Sequence, residues 1–537
     1  MNRYTVSIGL IALALLAPLL IILGHLFFPD WQVWQHLVNT VLADYVSNSL
    51  GLAFGVALGT LLIGGSCAWL MATFEFPLRS ISRVLLLLPL AMPAYISAYS
   101  YTGMLDVAGP VQTWIRQVFN WQYGDYWFPE VRSIPFAILL MSLVLYPYVY
   151  ILARTAFAEQ SARMFEIAQT HGYSRWRFFW LVSLPLARPA LLTGAALAMM
   201  EVLADYGTVH YFGINTFTTG IFRAWYAMGN RSAAAQLAGL LCLFVLLVLV
   251  LEQYSRRKLK FFQSGQSSSA PSTRSKLKGW RAGAATIWIL TPVVLGFILP
   301  TMQLLLWVFE SWRGVDWQGY WELIVATFSV ALLSAVLVVL LALLFTYQAR
   351  WVASQLSVWQ VRLLSLGYAL PGMVIAIGAL IVLGQLDHWL NDIWHAANGQ
   401  FIGLVFSGSL FALVFCYAIR FLSVALQNSE AGAARIAPSI DDAALTLGQG
   451  RLRTFSKIHL PLMRASILSA SLLVFVDVLK ELPATLVLRP FNFNTLAVRA
   501  YEMASDERLY DAALPALTIV GVSLLPIFVL TRMLDKG

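Results

Sequence analysis

The chain has 537 residues, of which 59% are hydrophobic and 11% charged, with a formal net charge of +9. Soluble domains carry charge on roughly a quarter of their residues, so this composition excludes a soluble globular protein. The basic excess in so apolar a chain indicates membrane topology and does not favour nucleic-acid binding.

Apolar runs of about 20 residues, the length that crosses a bilayer as a helix, recur along the whole chain. The first run is too long for the apolar region of a signal peptide, so we interpret it as a retained helix. The sequence predicts an all-α polytopic membrane protein with about 12 transmembrane helices, at about 7–28, 48–72, 84–104, 134–153, 187–204, 236–254, 284–309, 325–348, 363–385, 401–420, 465–485 and 513–532.

Basic residues are divided unevenly between the two sides that these spans define. With both termini on one side, that side holds 26 Lys and Arg and the other holds 9. Because the cytoplasmic side of a membrane protein carries the basic excess, we expect both termini of this multi-pass protein in the cytoplasm.

A basic, Ser-rich stretch at 256–282 divides the chain into a first six-helix half, 1–255, and a second, 283–537. Its composition is typical of a flexible connection. Four pairs of residues in matching contexts are each 276 apart: Gly172 and Gly448, Pro185 and Pro461, Glu201 and Asp477, Arg223 and Arg499. The pattern indicates duplication, and two halves with an even number of spans predict a pseudo-twofold axis along the membrane normal.

Each half carries a short amphipathic segment between its fourth and fifth spans. The first is FEIAQTHG (165–172) and the second is DDAALTLG (441–448). Glu166 precedes Gly172 by six residues, and Asp442 precedes Gly448 by six. Glycine at the end of such a segment favours a helix that terminates there, so we predict one short helix in each loop.

Small residues in both segments, Ala168, Ala443 and Ala444, allow close approach by another surface. Pro185 and Pro461 follow each segment and are expected near the start of the next span. Two short helices around a twofold axis suit the grooves of a dimeric cytosolic partner. The alternative is that they are ordinary interfacial helices of a duplicated bundle.

This spacing resembles the EAA…G…LP loop of permease subunits of bacterial ABC importers, although the triplets here read Glu166-Ile167-Ala168 and Asp442-Ala443-Ala444. The resemblance implies the ABC importer permease (type I) fold. It also implies that Phe165–Gly172 and Asp441–Gly448 are coupling helices, which sit in grooves of two copies of a cytosolic ATPase. The sequence contains no G-x-x-x-x-G-K-[ST] phosphate loop, so ATP and Mg²⁺ are expected on that partner, and this chain is expected to be neither an enzyme nor the holder of a cofactor.

Segments 202–225 and 480–517 resemble the permeases of ferric-iron importers, which are often fused into one chain of this size. That resemblance implies import of ferric iron delivered by a periplasmic iron-binding protein. Fused permeases for thiamine or aminoalkylphosphonate are the alternatives in the same class. A 12-helix secondary transporter driven by an ion gradient is the alternative in another class.

Four carboxylates form two more pairs at the same offset. Glu201 and Asp477 lie within spans, and Asp205 and Glu481 lie one turn further along. Ionisable groups in a membrane are costly and usually line a pathway, and a ring of carboxylates would suit a hard cation such as Fe³⁺. The alternative is internal ion pairing with Lys480, Arg223 or Arg499, and we assign no metal site.

Overall fold

The structure is a computed structural model that describes residues 3–28, 30–160, 168, 170–257, 274–352 and 355–534. Over these residues the chain is almost entirely helical, with one pair of two-residue strands. Most of the linker, 258–273, lies outside the described residues.

Eleven described helices are long and apolar enough to cross a membrane. We label them in chain order: α1 Arg3–His25, α2 Leu42–Thr73, α3 Ile134–Ala158, α4 Arg175–Ala204, α5 Arg231–Arg257, α6 Trp280–Gly314, α7 Trp317–Trp351, α8 Gly372–Asn398, α9 Leu410–Ala434, α10 Arg451–Leu479 and α11 Leu509–Leu534. The predicted all-α membrane architecture is confirmed.

The predicted span at 84–104 is a bent pair, not one straight helix. Arg79–Ala91 and Ala94–Phe119 satisfy the length and hydropathy criteria together, but they meet at 90°. Pro93 lies at the break and precedes the first residue of the second helix. Proline has no N–H to donate to a preceding turn, so the helix is interrupted there. The bent pair raises the number of candidate spans to 12.

The predicted span at 363–385 is also divided. A helix at Gln355–Leu364 and a 3-10 turn at Gly367–Ala369 precede Pro371, which caps the long helix α8. Shorter helices complete the fold, at Trp31–Thr40, Arg79–Leu85, Ala94–Leu105, Pro110–Phe119, Gly207–Tyr211, Phe217–Phe222, Pro438–Thr446, Pro483–Leu488 and Leu496–Ser505.

The duplication is visible in the helix boundaries. Helices α3 and α9 begin 276 residues apart and end 276 residues apart, and α4 and α10 begin at the same offset. The pairing of Arg223 with Arg499 is less regular. The caps of their helices, Thr216 and Thr495, are 279 apart, so Arg223 lies seven residues after its cap and Arg499 lies four after.

The first helix of each half packs on the other half. Helix α1 lies against α8, where Gly378 has no side chain and lets the backbone of Pro18 come close. Helix α6 lies against the first half, and its Leu295 carbonyl accepts a hydrogen bond from the Tyr101 hydroxyl. This exchange joins the two halves into one bundle.

The strand pair joins the end of the linker to the first half. Phe74–Glu75, directly after α2, pairs in parallel with Ser275–Lys276. The amide of Leu277 also donates to the Glu75 carbonyl at 2.9 Å. The chain therefore enters α6 from a position fixed on the first half.

Candidate functional site

The second repeated loop forms a short helix, Pro438–Thr446, that ends at a glycine. Gly448 has φ +76°, and the amide of Gln449 donates to the Ala444 carbonyl at 3.0 Å. A left-handed glycine with a hydrogen bond that spans it is the Schellman termination of a helix. The predicted helix and its terminating glycine are therefore both present in this loop.

The first repeated loop is described only in part, and Phe165 and Glu166 lie outside the described residues. Its end matches the second loop. Gly172 has φ +77°, and the amide of Tyr173 donates to the carbonyl of buried Ala168 at 2.9 Å. All of these positions differ by 276 from their partners in the second loop. No atom lies within 4 Å of where a Cβ on either glycine would stand, so glycine is needed for its backbone angle and not for space.

Each loop continues into a helix with the same irregularity. A four-residue turn, Arg175–Phe178 or Arg451–Thr454, leads into a π turn at Phe179–Ser183 or Phe455–His459. Pro185 and Pro461 then lie in the first turn of regular helix. The spans start at Arg175 and Arg451 and not at the predicted 187 and 465, because the wider π turn accommodates the proline without ending the helix.

An ion-pair network anchors the second loop. Asp441 is buried, with 9% of the residue exposed. Its carboxylate contacts Arg350 Nε at 2.7 Å and His459 Nε2 at 2.6 Å. Arg350 also donates to the carbonyls of Ala433 and Ile436, at 2.8 and 3.0 Å. The loop helix is thereby tied to the ends of α7, α9 and α10.

The sequence comparison of the two loops selected Asp442, the residue after Asp441, as the match to Glu166. Asp442 and Ala443 are exposed, and Ala444 is buried. The Asp441 network was missed because Arg350 lies 91 residues away in sequence. The first half has Phe74, Phe165 and Ser183 at the positions 276 before Arg350, Asp441 and His459, so the two loops are not anchored by the same chemistry.

Apolar side chains project from the second loop. Leu447 is 78% exposed and Leu452 is 73% exposed, on either side of Gly448. They give the end of this loop an apolar surface.

At the C-terminal ends of α4 and α10, a cavity of about 140 Å³ lies between the two halves. It is lined by all four predicted carboxylates, Glu201, Asp205, Asp477 and Glu481. Residues from the bent pair, from α3 and from α9 complete its wall. The structure thus brings together the four residues that the repeat offset selected.

Two of these carboxylates cap short helices. Asp205 accepts from the amides of Thr208 and Val209 at 3.0 and 3.1 Å, at the start of Gly207–Tyr211. Glu481 accepts from the amide of Ala484 at 3.0 Å, at the start of Pro483–Leu488. A carboxylate at a helix N-terminus satisfies amides that have no partner within the helix.

Ion pairs also occupy the cavity, with partners that differ from those expected. Arg420 contacts Glu481 at 3.1 Å, and Lys480 contacts Asp477 at 2.8 Å. Arg223 instead donates to Asn215. Arg420, counted above among the cytoplasmic basic residues, is buried within α9. Asp477 and Glu481 are therefore ion-paired, as the alternative of internal pairing anticipated, while the role of the four carboxylates in a pathway stays a prediction.

Glu201 is bound differently from the other three carboxylates. Its Oε1 accepts from the hydroxyls of Tyr148 and Tyr368, each at 3.4 Å. Tyr148 lies on α3 in the first half and Tyr368 lies on the 3-10 turn before α8 in the second. Within the described part of the chain, no group of three or more His, Cys, Asp or Glu could hold a metal ion.

Contacts between the two halves lie at the short helices that border the cavity. The Tyr501 hydroxyl lies 2.5 Å from His210 Nδ1, and the Tyr226 hydroxyl donates to the Val487 carbonyl at 2.7 Å. Gly207 packs so tightly that a Cβ there would stand 2.7 Å from Cδ2 of Leu482. We call these contacts the far-side gate.

The family model for binding-protein-dependent transport system inner membrane components matches residues 60–260 and 354–537. The chain belongs to this family. It is accordingly a multi-pass inner-membrane protein of a binding-protein-dependent transport system, and each matched region covers most of one half.

Curated members of this family resemble the chain along nearly its whole length. The Fe(3+)-transport system permease protein FbpB 2 of Haemophilus influenzae is 26% identical over 499 residues, which cover 92% of this chain and 91% of that protein. The ferric transport system permease protein FbpB of Actinobacillus pleuropneumoniae is 22% identical and covers 87% of this chain and 67% of its own length.

A third relative matches one half alone. The molybdenum transport system permease protein ModB of Haemophilus influenzae is 27% identical over 227 residues, which are 41% of this chain and 96% of that protein. A family member can therefore correspond to a single half of this chain, as the internal duplication predicts.

Proposed function

We propose that this chain is the permease of an ABC importer that carries ferric iron across the bacterial inner membrane. A periplasmic binding protein delivers the iron, and ATP hydrolysis in separate cytosolic subunits drives the transport. The observation that carries the proposal is the likeness, over 92% of the chain, to a permease named for Fe(3+) transport. This chain itself catalyses no reaction.

The two repeated loops are the proposed coupling sites. Their shared helix termination at Gly172 and Gly448 presents the same backbone shape twice, as two copies of one ATPase require. The exposed Leu447 supplies an apolar contact for a groove on that partner. ATP and Mg²⁺ belong to the ATPase, because the sequence has no phosphate loop.

The proposed orientation places the repeated loops and both termini in the cytoplasm. Without Arg420 and Lys480, which line the cavity, 25 basic residues remain on that side and 8 on the other, and this distribution supports the orientation. The far-side gate then faces the periplasm, where the binding protein releases its iron. With that gate closed, the structure corresponds to a state that does not admit periplasmic substrate.

Closure of the ATPase subunits would tilt the halves and separate the contacts of the far-side gate. Two states that differ by only a few kcal/mol can be exchanged by a partner that binds one of them more tightly. The gate contacts support this, because they consist of a few hydrogen bonds and one close packing contact between the halves.

The charge of the cavity supports a cationic substrate. Its four carboxylates outnumber its two basic residues, Arg420 and Lys480. A pathway for an oxyanion such as molybdate would be expected to carry the opposite excess. Thiamine is also a cation, so charge alone does not separate it from iron.

Transport by the reconstituted complex tests the proposal. Vesicles that contain this chain and its ATPase are supplied with the binding protein and radioactive Fe³⁺ on one side of the membrane. They should accumulate iron when ATP is present on the other side, where the ATPase subunits lie. Omission of ATP is the control and should abolish uptake. Uptake driven by a proton gradient without ATP would instead favour a secondary transporter, and uptake of thiamine or aminoalkylphosphonate but not iron would reject the substrate.

The pathway role of the carboxylates has its own test. Glu201→Gln combined with Asp477→Asn should slow iron uptake about tenfold or more, since two charges in the path are removed, while the ATPase still assembles. Asp392→Asn, an exposed position on α8, is the matched control. Uptake at the control rate would remove both residues from the pathway.

A further inference from the structure

Glu201 is the one cavity carboxylate that neither pairs with a cation nor caps a helix in the described part of the chain. Its bound partners are two neutral phenol hydroxyls, from Tyr148 and Tyr368. Neither tyrosine has an equivalent in the other half. Val424 lies 276 residues after Tyr148, and Leu90 stands three residues before Pro93, as Tyr368 stands three residues before Pro371. This oxygen cluster is therefore not a by-product of the duplication.

We propose that Glu201, Tyr148 and Tyr368 form a transient binding site for Fe³⁺ in the cavity. The inference rests on the proposed function and adds to it the atoms that the iron touches. Hard cations prefer oxygen ligands, and this set provides one carboxylate and two phenols.

The spacing of the oxygens fits such an ion. Each phenol oxygen stands 3.4 Å from Oε1 of Glu201. An octahedral ion with bonds of about 2 Å has neighbouring ligand oxygens about 3 Å apart. A contraction of a few tenths of an ångström would therefore bring each phenol oxygen to the distance from Oε1 that two ligands of one ion require.

The chemistry of binding is a simple exchange. At each phenol that binds, the O–H bond is replaced by an Fe–O bond and the proton passes to solvent, while iron stays in the ferric state. Because Tyr368 belongs to the second half and Glu201 to the first, the tilt that opens the far-side gate also separates these ligands, and closure of the gate brings them together. Iron that enters through the open gate is thus bound as the gate closes behind it.

Ferric phenolate absorbs visible light by charge transfer, and this absorption gives a direct test. The complete complex in lipid nanodiscs is titrated with ferric citrate. We expect a visible band that saturates in the unmodified complex and is lost in the double variant Tyr148→Phe with Tyr368→Phe. Radioactive iron uptake by that variant should fall about tenfold or more, as is common when groups around a metal site are removed.

Tyr146→Phe is the matched control, because Tyr146 lies on the same helix, is fully buried, and has a hydroxyl without a partner outside this cavity. It should keep both the band and the uptake. ATPase activity of each variant confirms assembly.

Iron uptake by the unmodified complex without a visible band would overturn the site and leave the proposed function standing. A band or an uptake rate unchanged in the double variant would do the same. Absence of iron uptake by the unmodified complex would overturn the proposed function, and with it this inference.

Discussion

Removal of the Asp441 carboxylate should uncouple ATP hydrolysis from transport. Asp441 links Arg350 and His459 and so fixes the second loop helix to the ends of α7 and α10. The variant Asp441→Ala breaks both contacts without changing the exposed face that would meet the ATPase.

The expected loss follows from the contacts of Arg350. Breaking a buried ion pair costs about 3–5 kcal/mol when the remaining charge has no other partner. Here Arg350 keeps two carbonyl acceptors, at 2.8 and 3.0 Å, so we place the loss below that range. A charged hydrogen bond contributes about 1.5–3 kcal/mol, and at about 1.4 kcal/mol per factor of ten this corresponds to a 10- to 150-fold smaller population of the anchored loop.

Two rates measured in the same vesicles test this expectation. ATP-driven iron uptake by Asp441→Ala should fall about tenfold or more, the lower limit of the population change, while ATP hydrolysis falls less, so that more ATP is consumed per ion. Glu430→Ala, an exposed carboxylate near the end of α9, is the matched control and should keep the original ratio. An unchanged ratio in Asp441→Ala would refute the anchoring role.

Three further changes test other parts of the structure. Gly448→Ala should weaken ATPase binding about fivefold, because a non-glycine residue in the left-handed conformation costs about 1 kcal/mol. The control Gly450→Ala, at a position with φ −70°, should leave the affinity unchanged. Equal affinities of the two variants would contradict the termination at Gly448. Arg420→Leu should lower the yield of folded protein, because Glu481 stays buried with only the Ala484 amide as a partner, at a cost below the about 3–5 kcal/mol of a charge left with no partner. Adding Glu481→Gln should restore much of the yield, and no rescue would count against the ion pair. Tyr501→Phe should raise the rate of ATP hydrolysis without binding protein about two- to tenfold, since one gate hydrogen bond contributes about 0.5–1.5 kcal/mol. An unchanged basal rate would show that the Tyr501 hydroxyl does not hold the gate closed.

The sequence predicted features that depend on local pattern. Apolar length located the membrane helices, and a glycine at a fixed place in each loop predicted the helix terminations that Gly172 and Gly448 form. The constant offset of 276 selected four carboxylates, and all four line one cavity. Hydrophobic periodicity and internal repeats can be recognised in the sequence without knowing which helices pack together.

Features that depend on packing between distant segments could not be read in the same way. Arg350 and Asp441 are 91 residues apart, and Tyr368 and Glu201 are 167 apart. The 90° bend at Pro93 and the exchange of first helices between halves depend on the neighbours available in the folded bundle. For the same reason the cation partner of Glu481 was expected to be the adjacent Lys480 but is Arg420 on another helix.

The asymmetry between the halves has a consequence for coupling. The second half holds both cavity cations and the anchored loop, while the first half has Val144 and Ala204 at the positions 276 before Arg420 and Lys480. A fused chain has one copy of each half, so the halves can differ. We therefore expect substitutions at the two loops to affect transport unequally.

Site-specific crosslinking tests the central claim, that the repeated loops contact a separate ATPase. The three native cysteines, Cys67, Cys242 and Cys416, are buried, so a chain in which they are replaced can carry one new thiol at Leu447→Cys. It should crosslink to the ATPase subunit, while Phe401→Cys, at the opposite end of α9 and 70% exposed in the native residue, should not. A Leu447→Cys chain that transports iron but never crosslinks to the ATPase would contradict the account.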